Sequence, residues 1–266
     1  MKAEPVASVD PVSAKTCCAA LWSHPAVRVL VGDSLHPGGP DLTAHLVACL
    51  GLPPGSRVLD LGCGPGATLE TLASAGLAPV GADYSLPLAT EAAVRAPRAL
   101  VVVADGERLP FRDGSFDGVV AECVLSVIPD IHAAAREVAR VVRRGGRVAI
   151  SDVIREGPVP AVLDAFASRI ACVGGALTAA LYRAALRGAG FDGVEVEDRR
   201  EALIEMIDRV RRRLALLQGS LAVGLLRPGT GLNSGPVDAA QALLGQAAEA
   251  ARAGSLGYAV LSGTKA

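Results

Sequence analysis

The sequence predicts an α/β protein built on a doubly wound, mostly parallel sheet with helices on both faces. Three observations carry this expectation. Short apolar runs alternate with helical stretches from Val58 to Ile150. Each run ends in a polar or acidic residue, the signature of strands whose carboxyl ends open onto a ligand crevice. The first run, Val58-Leu59-Asp60-Leu61, closes on Gly62-Cys63-Gly64-Pro65-Gly66, three glycines at alternate positions. Glycines permit positive φ and let a ligand approach bare backbone, so this is a tight strand-to-helix turn that can cradle a ligand. Its G-x-G-x-G spacing differs from the G-x-G-x-x-G of dinucleotide sites.

The elements follow in order. Residues 1–15 are polar and proline-interrupted and form a lead-in. Thr16 to Val31 reads as a helix broken at Pro25. His36-Pro37-Gly38-Gly39-Pro40 is a tight loop, and Asp41 is a candidate cap for a helix over Leu42 to Leu50. After the glycine turn a helix starts near Ala67. Pro79 to Ala82 is a second strand ending in Asp83, and an acid there can accept both hydroxyls of a ribose. Ala99 to Ala104 ends in Asp105-Gly106-Glu107. Phe116 to Ala121 ends in Glu122-Cys123. A helix over 132–143 reads as ending in the basic turn Arg143-Arg144 and a glycine stop. Gly146 to Ile150 ends in Ser151-Asp152. Beyond it, 160–172, Leu177 to Gly188, 201–218 and 237–252 read as helices. Phe191 to Asp198 and Gly257 to Gly263 read as strands.

Composition bounds the function. The chain has 266 residues, 51% hydrophobic and only 3% aromatic, so a full core is expected to be packed from Ala, Val and Leu. A net charge of −1 argues against nucleic acid as substrate. The basic run Arg209 to Arg213 reads as a solvated helix face. No apolar run is long enough to span a membrane, and the first residues lack the apolar core of a signal peptide. A cytoplasmic protein with reduced cysteines is the expectation.

The motifs VLDLGCGPG, GADYS, DGERLPFRDGSFD and RVVRRGGRVAISD, in that order and spacing, resemble class I S-adenosylmethionine-dependent methyltransferases. The resemblance runs from about Leu50 to Asp152 and more loosely to the C-terminus. It implies a seven-stranded Rossmann-like methyltransferase fold whose last strand is antiparallel. It also implies an N-terminal helical lid over 1–49 and a methyltransferase domain over 50–266, with a helical elaboration at about 200–252. The cofactor implied is S-adenosylmethionine. Asp60 and the turn at Gly62, Gly64 and Gly66 would face its methionyl part. Asp83 would take the ribose hydroxyls, Tyr84 would pack near the adenine, and Asp105 and Gly106 would hold the adenine edge. Glu122, His36 and Gly38 are further candidate cofactor contacts; for His36 a helix-capping role is the alternative.

The acceptor is addressed by cysteines. Cys49 reads as helix packing and Cys63 as the small residue the glycine turn needs. Glu122-Cys123-Val124-Leu125-Ser126-Val127-Ile128-Pro129-Asp130 resembles the fourth-strand segment of arsenite methyltransferases. Cys172-Val173-Gly174-Gly175-Ala176-Leu177 resembles their second cysteine segment, and Cys17 or Cys18 could supply a third thiol. Trivalent arsenic is soft, so thiolates suit it. The resemblance therefore implies As(III) as the substrate at Cys18 (or Cys17), Cys123 and Cys172, with no structural metal. The alternatives are a small organic acceptor with Glu122 as general base and incidental cysteines, or a non-catalytic metalloid-binding protein. Oligomeric state is not legible.

Overall fold

The computed structural model describes residues 24–32, 35–163, 171–222 and 234–266. The strands are β1 (Arg57–Leu61), β2 (Ala78–Asp83), β3 (Leu100–Val103), β4 (Phe116–Glu122), β5 (Val142–Arg155), β6 (Phe191–Asp198) and β7 (Leu256–Lys265). They form one seven-stranded sheet in the order β3-β2-β1-β4-β5-β7-β6. β1 to β5 are parallel to one another, and β7 runs antiparallel between β5 and β6. This is the Rossmann-like methyltransferase arrangement, with the order reversing between β1 and β4. In such sheets the crevice at the reversal is where ligands bind.

The helices are α1 (Pro25–Val31), α2 (Gly39–Leu50), α3 (Ala67–Ser74), α4 (Leu86–Arg95), α5 (Ile131–Val141), α6 (Ala171–Gly174), α7 (Ala179–Gly188), α8 (Arg200–Ala222) and α9 (Ser234–Arg252). Side chains alternate across each strand, which splits the core in two. Leu59, Val119, Val148 and Ile150 point to one face and pack against α5 and α7 through Val138, Tyr182 and Leu186. Val58, Val120, Ala149 and Tyr258 point to the other and pack against α2, α8 and α9 through Leu46, Leu50, Ile207 and Ala248. With so few aromatic side chains, close packing comes from small residues: Ala92, Ala134, Ala149 and Ala251 are fully buried.

The structure corrects several sequence expectations. α1 starts at Pro25, where proline's missing N–H costs nothing in a first turn, and the expected helix ahead of it lies outside the described residues. α2 begins at Gly39, with left-handed Gly38 at its cap and Pro40 in its first turn, so Asp41 lies inside the helix. α5 stops at Val141, and Arg143 to Gly146 belong to β5 instead of a helix end. β5 also continues through Ser151 and Asp152 to Arg155 because β7 pairs with it along that whole length. Asp152 is thus a fully buried mid-strand acid and not a strand tip. In the basic run, Arg213 is no plain solvated charge: its Nη1 donates to the Leu30 carbonyl at 2.8 Å, at the end of α1. The run Thr16 to Ser23, much of the helix over 160–172, and Cys17 and Cys18 lie outside the described residues. Among the described residues no helix is long and apolar enough to cross a membrane.

Gly146 shows how tightly β4 and β5 meet. A Cβ there would stand 2.6 Å from Val142 Cγ1, 2.7 Å from the Asp117 carbonyl and 2.9 Å from the Arg143 carbonyl. Two of these neighbours are backbone and cannot yield. Gly146→Ala is expected to lower unfolding free energy by about 1–3 kcal/mol in urea denaturation.

Candidate functional site

The glycine turn sits where the sheet order reverses. Gly62, Gly64 and Gly66 have φ of 69°, 50° and 93°, left-handed values that other residues resist. Their reasons differ. A Cβ on Gly62 would lie 2.3 Å from Val124 Cγ2, so the chain leaving β4 can cross the turn only over a glycine. A Cβ on Gly66 would press on the α4 backbone at Ala92, 3.0 Å away. At Gly64 a Cβ would meet nothing within 4 Å, so this backbone faces open space in the cavity.

Around that cavity the chain collects acids. Asp60 is buried, and its Oδ2 has no hydrogen-bond partner. Burial, with Glu122 and Asp83 close by, holds its carboxyl well above the usual aspartate range. Asp83 is fixed: its Oδ2 accepts from the Gly64 N–H and its Oδ1 from the Ser85 N–H, both at 2.8 Å. Burial raises the Asp83 pKa, and those two amides oppose the rise. Glu122 ends β4 almost fully buried, accepting from Thr68 Oγ1 at 2.8 Å and Thr43 Oγ1 at 3.1 Å, with His36 Nδ1 at 3.4 Å. Tyr84, Asp105 and Gly106 line the adjoining wall.

Among the described residues, no lysine or arginine lines this cavity. Three carboxylates around open space, one with an unpartnered buried oxygen, fit a cationic ligand laid along bare glycine backbone. The charges of S-adenosylmethionine, an ammonium and a sulfonium, meet that requirement. Asp60, Asp83 and Glu122 are the residues that could hold it, along the bare backbone of the turn. Gly38 stands apart from this wall. Its would-be Cβ meets Leu42 Cβ at 2.5 Å, and it borders a groove on another side of α2.

The residues that the sequence marked as acceptor candidates follow β4. Cys123 lines the cavity and has φ of 54°, the one left-handed backbone outside glycine among the described residues. Its Sγ lies 3.2 Å from Tyr258 Oη, which donates to Ser151 Oγ at 3.0 Å. The following turn, Leu125–Val127, is anchored from below by Asp152. Its Oδ1 accepts from Ser126 Oγ at 2.6 Å and its Oδ2 from the Ser126 N–H at 3.0 Å. Burial lifts Asp152 to about 6. Cys172 is buried on α6, outside the cavity wall. Both Cys123 and Cys172 lie near enough to the Tyr182 phenol for their charges to help burial and Asp152 raise its pKa. Cys63 is buried in the turn with its thiol pushed far up by burial and Asp60, an inert environment. Thr43, Thr68, Ser151 and Tyr258 were not singled out by the sequence, because a hydroxyl 54 to 107 residues from its partner leaves no local pattern.

Comparisons with known proteins agree with this geometry. Residues 59–150 match the methyltransferase domain family. The chain is 35% identical over 192 residues to 27-O-demethylrifamycin SV methyltransferase of Amycolatopsis mediterranei, covering 64% of this chain and 70% of that enzyme. It is 34% identical over 160 residues to arsenite methyltransferase of Halobacterium salinarum, covering 56% of this chain and 40% of that protein. Phosphoethanolamine N-methyltransferase 2 of Haemonchus contortus, solved with S-adenosylhomocysteine, superposes with a TM-score of 0.79 at 18% identity. That superposition covers 95% of this chain and 60% of the other. The chain belongs to the S-adenosylmethionine-dependent methyltransferases. It is an enzyme of that class, and S-adenosylmethionine is its cofactor.

Asp60 yields a signed prediction. Its pKa is raised in the folded state, so it is neutral at no cost below the ordinary value of 3.8. Stability is lost as pH rises through the higher folded value, where a buried charge must be kept without its ligand. Asp60→Asn is expected to make the donor-free protein more stable at pH 7.5 by about 1–3 kcal/mol, with a smaller gain at pH 4.5. The same change should weaken S-adenosylmethionine binding by calorimetry. Equal effects at both pH values would contradict the assignment.

Proposed function

We propose that this enzyme methylates trivalent arsenic held by cysteine thiolates, with Cys123 and Cys172 supplying two of the thiols and Cys18 or Cys17 the third. The observation that carries the reading is the left-handed backbone at Cys123. A side chain there costs strain that glycine would avoid, and such strain persists where function requires the side chain. The residue lines the cavity beside Glu122 and the glycine turn, and its Sγ lies 3.2 Å from Tyr258 Oη.

The chemistry balances without a base. Each thiol exchanges with one arsenic-bound hydroxide: an As–S bond forms, an As–O bond breaks, and the thiol proton leaves with the hydroxide as water. When bound, S-adenosylmethionine would supply an electrophilic methyl group on its sulfonium; as the arsenic lone pair formed the As–C bond the C–S bond would break, S-adenosylhomocysteine would leave, and arsenic would rise formally from +3 to +5, to be reduced again by an external thiol. The chain's task is then to hold arsenic with its lone pair toward that carbon, and positioning of this kind can contribute about 7–11 kcal/mol. The hydrogen bonds from Thr68 and Thr43 suit Glu122 to a fixed role in donor binding better than to base catalysis.

A second reading is a small organic acceptor. The longer match to 27-O-demethylrifamycin SV methyltransferase favours it. Under that reading Glu122 is the base and the cysteines are incidental. We also assign the protein to the cytoplasm, where thiols stay reduced.

Incubation with labelled S-adenosylmethionine, arsenite and a reducing thiol separates the two. Methylated arsenic is expected from the wild type. Cys123→Ser and Cys172→Ser should each cut turnover at least about a hundredfold, with donor affinity changed less than about twofold. No methylated arsenic from a protein that binds the donor normally would sink the arsenic reading. Full activity of both variants would do the same.

A further inference from the structure

Away from the methyl-donor cavity, another side of α2 carries a mixed set of metal-ligand types. His45 and Cys49 are one turn apart on α2, and Glu197 reaches them from β6. His45 Nε2 lies 2.9 Å from Glu197 Oε2 and 3.6 Å from Cys49 Sγ, and Cys49 Sγ lies 4.0 Å from Glu197 Oε1. Ligands bound to zinc at about 2.0–2.3 Å with tetrahedral angles stand about 3.3–3.8 Å apart. The three donors therefore bracket the spacing of one tetrahedral face, brought together by two elements far apart in sequence.

Arg199 occupies the neighbourhood, and the fit is poor. Its Nη2 is 2.7 Å from His45 Nε2 and 2.6 Å from Glu197 Oε2. His45 Nε2 thus faces a group that only donates and a group that only accepts. A ring nitrogen can satisfy one of these and not both. If it accepts from Arg199, it opposes the carboxylate; if it donates to Glu197, it opposes the guanidinium. The Arg199 Nε is buried without a hydrogen-bond partner. A cation coordinated by all three donors removes the conflict, and it frees Arg199 to turn outward. The adjoining groove offers an approach: Asp41, Asp198, Glu201 and Glu205 in its walls outnumber Arg199 and Arg200.

The geometry points to His45, Cys49 and Glu197 as a binding site for a borderline divalent cation of the zinc type, with water as fourth ligand and Arg199 as the group the metal displaces. Nitrogen, sulfur and oxygen donors together select such an ion over calcium or magnesium, which take oxygen. Binding forms a metal–sulfur bond as the Cys49 thiol releases its proton to solvent. The site stands on its own residues and shares none with the proposed acceptor thiols.

The test is titration of the full-length, reduced protein with Co(II) and with Zn(II) against a chromophoric chelator. The wild type should show a thiolate-to-cobalt charge-transfer band. Cys49→Ser should lose it, and Cys49→Ser and His45→Ala should each weaken Zn(II) binding by about tenfold or more. Arg199→Ala should act with the opposite sign, tightening Zn(II) binding by about threefold or more as a competing positive charge is removed. A charge-transfer band of unchanged strength in Cys49→Ser would overturn the site, because the metal would then sit on other thiols. Failure of both wild type and Arg199→Ala to bind would overturn it as well. Neither outcome depends on whether arsenic is methylated.

Discussion

The unpartnered carboxylate of Asp60, held in the interior at the end of the central strand, is the constraint around which this protein is organised. Burying such a group without a partner costs free energy, and here two more acids crowd it. Among the described residues, no lysine or arginine in the cavity wall relieves the three. The sheet supplies the position: β1 lies between β2 and β4, so Asp60, Asp83 and Glu122 arrive at one edge from three adjacent strands. The glycine turn supplies the access, since backbone without side chains lets a ligand reach them. The stability that Asp60 withholds from the empty protein is returned when a cation binds, which makes ligand affinity and fold stability two expressions of one charge arrangement.

Much of this was legible in the sequence because it is local. The glycine spacing, the acids closing each apolar run and the alternation of the strands are patterns within a few residues, and they located β1 to β4, β6 and β7 closely. The errors arose where a distant partner overrode a local signal. Arg143 to Gly146 looks like a helix end by composition, yet it is the irregular stretch of β5 between Val142, paired with Phe116, and Arg147, paired with Gly118 and Thr264. Asp152 looks like another strand tip until β7 extends the strand beyond it. The hydroxyls that hold Glu122 and Cys123 come from α2, α3, β5 and β7. Thr43, Thr68, Ser151 and Tyr258 are unremarkable residues whose meaning comes only from three-dimensional placement. His45 and Cys49 sit at plain helical spacing, and nothing local announces Glu197 as their neighbour.

The two sides of the cavity are built on different principles. The wall at the glycine turn is backbone and carboxylate, with Asp83 fixed by two amides and Glu122 by two hydroxyls. The end of β4 is a single left-handed residue and a short turn, tied to the sheet through Tyr258, Ser151 and Asp152. Enzymes named for chemically unrelated acceptors, a rifamycin and arsenite, are both similar to this one chain.

The two amides that grip Asp83 have a kinetic meaning as well. Its carboxylate is locked before any ligand arrives, with one oxygen on Gly64 and one on Ser85. A ligand that meets this acid need not freeze a mobile side chain, an ordering cost of about 0.5–1.5 kcal/mol elsewhere. Recognition at this corner is therefore closer to docking against a finished surface than to induced fit. What motion the binding cycle requires has to come from other parts of the chain.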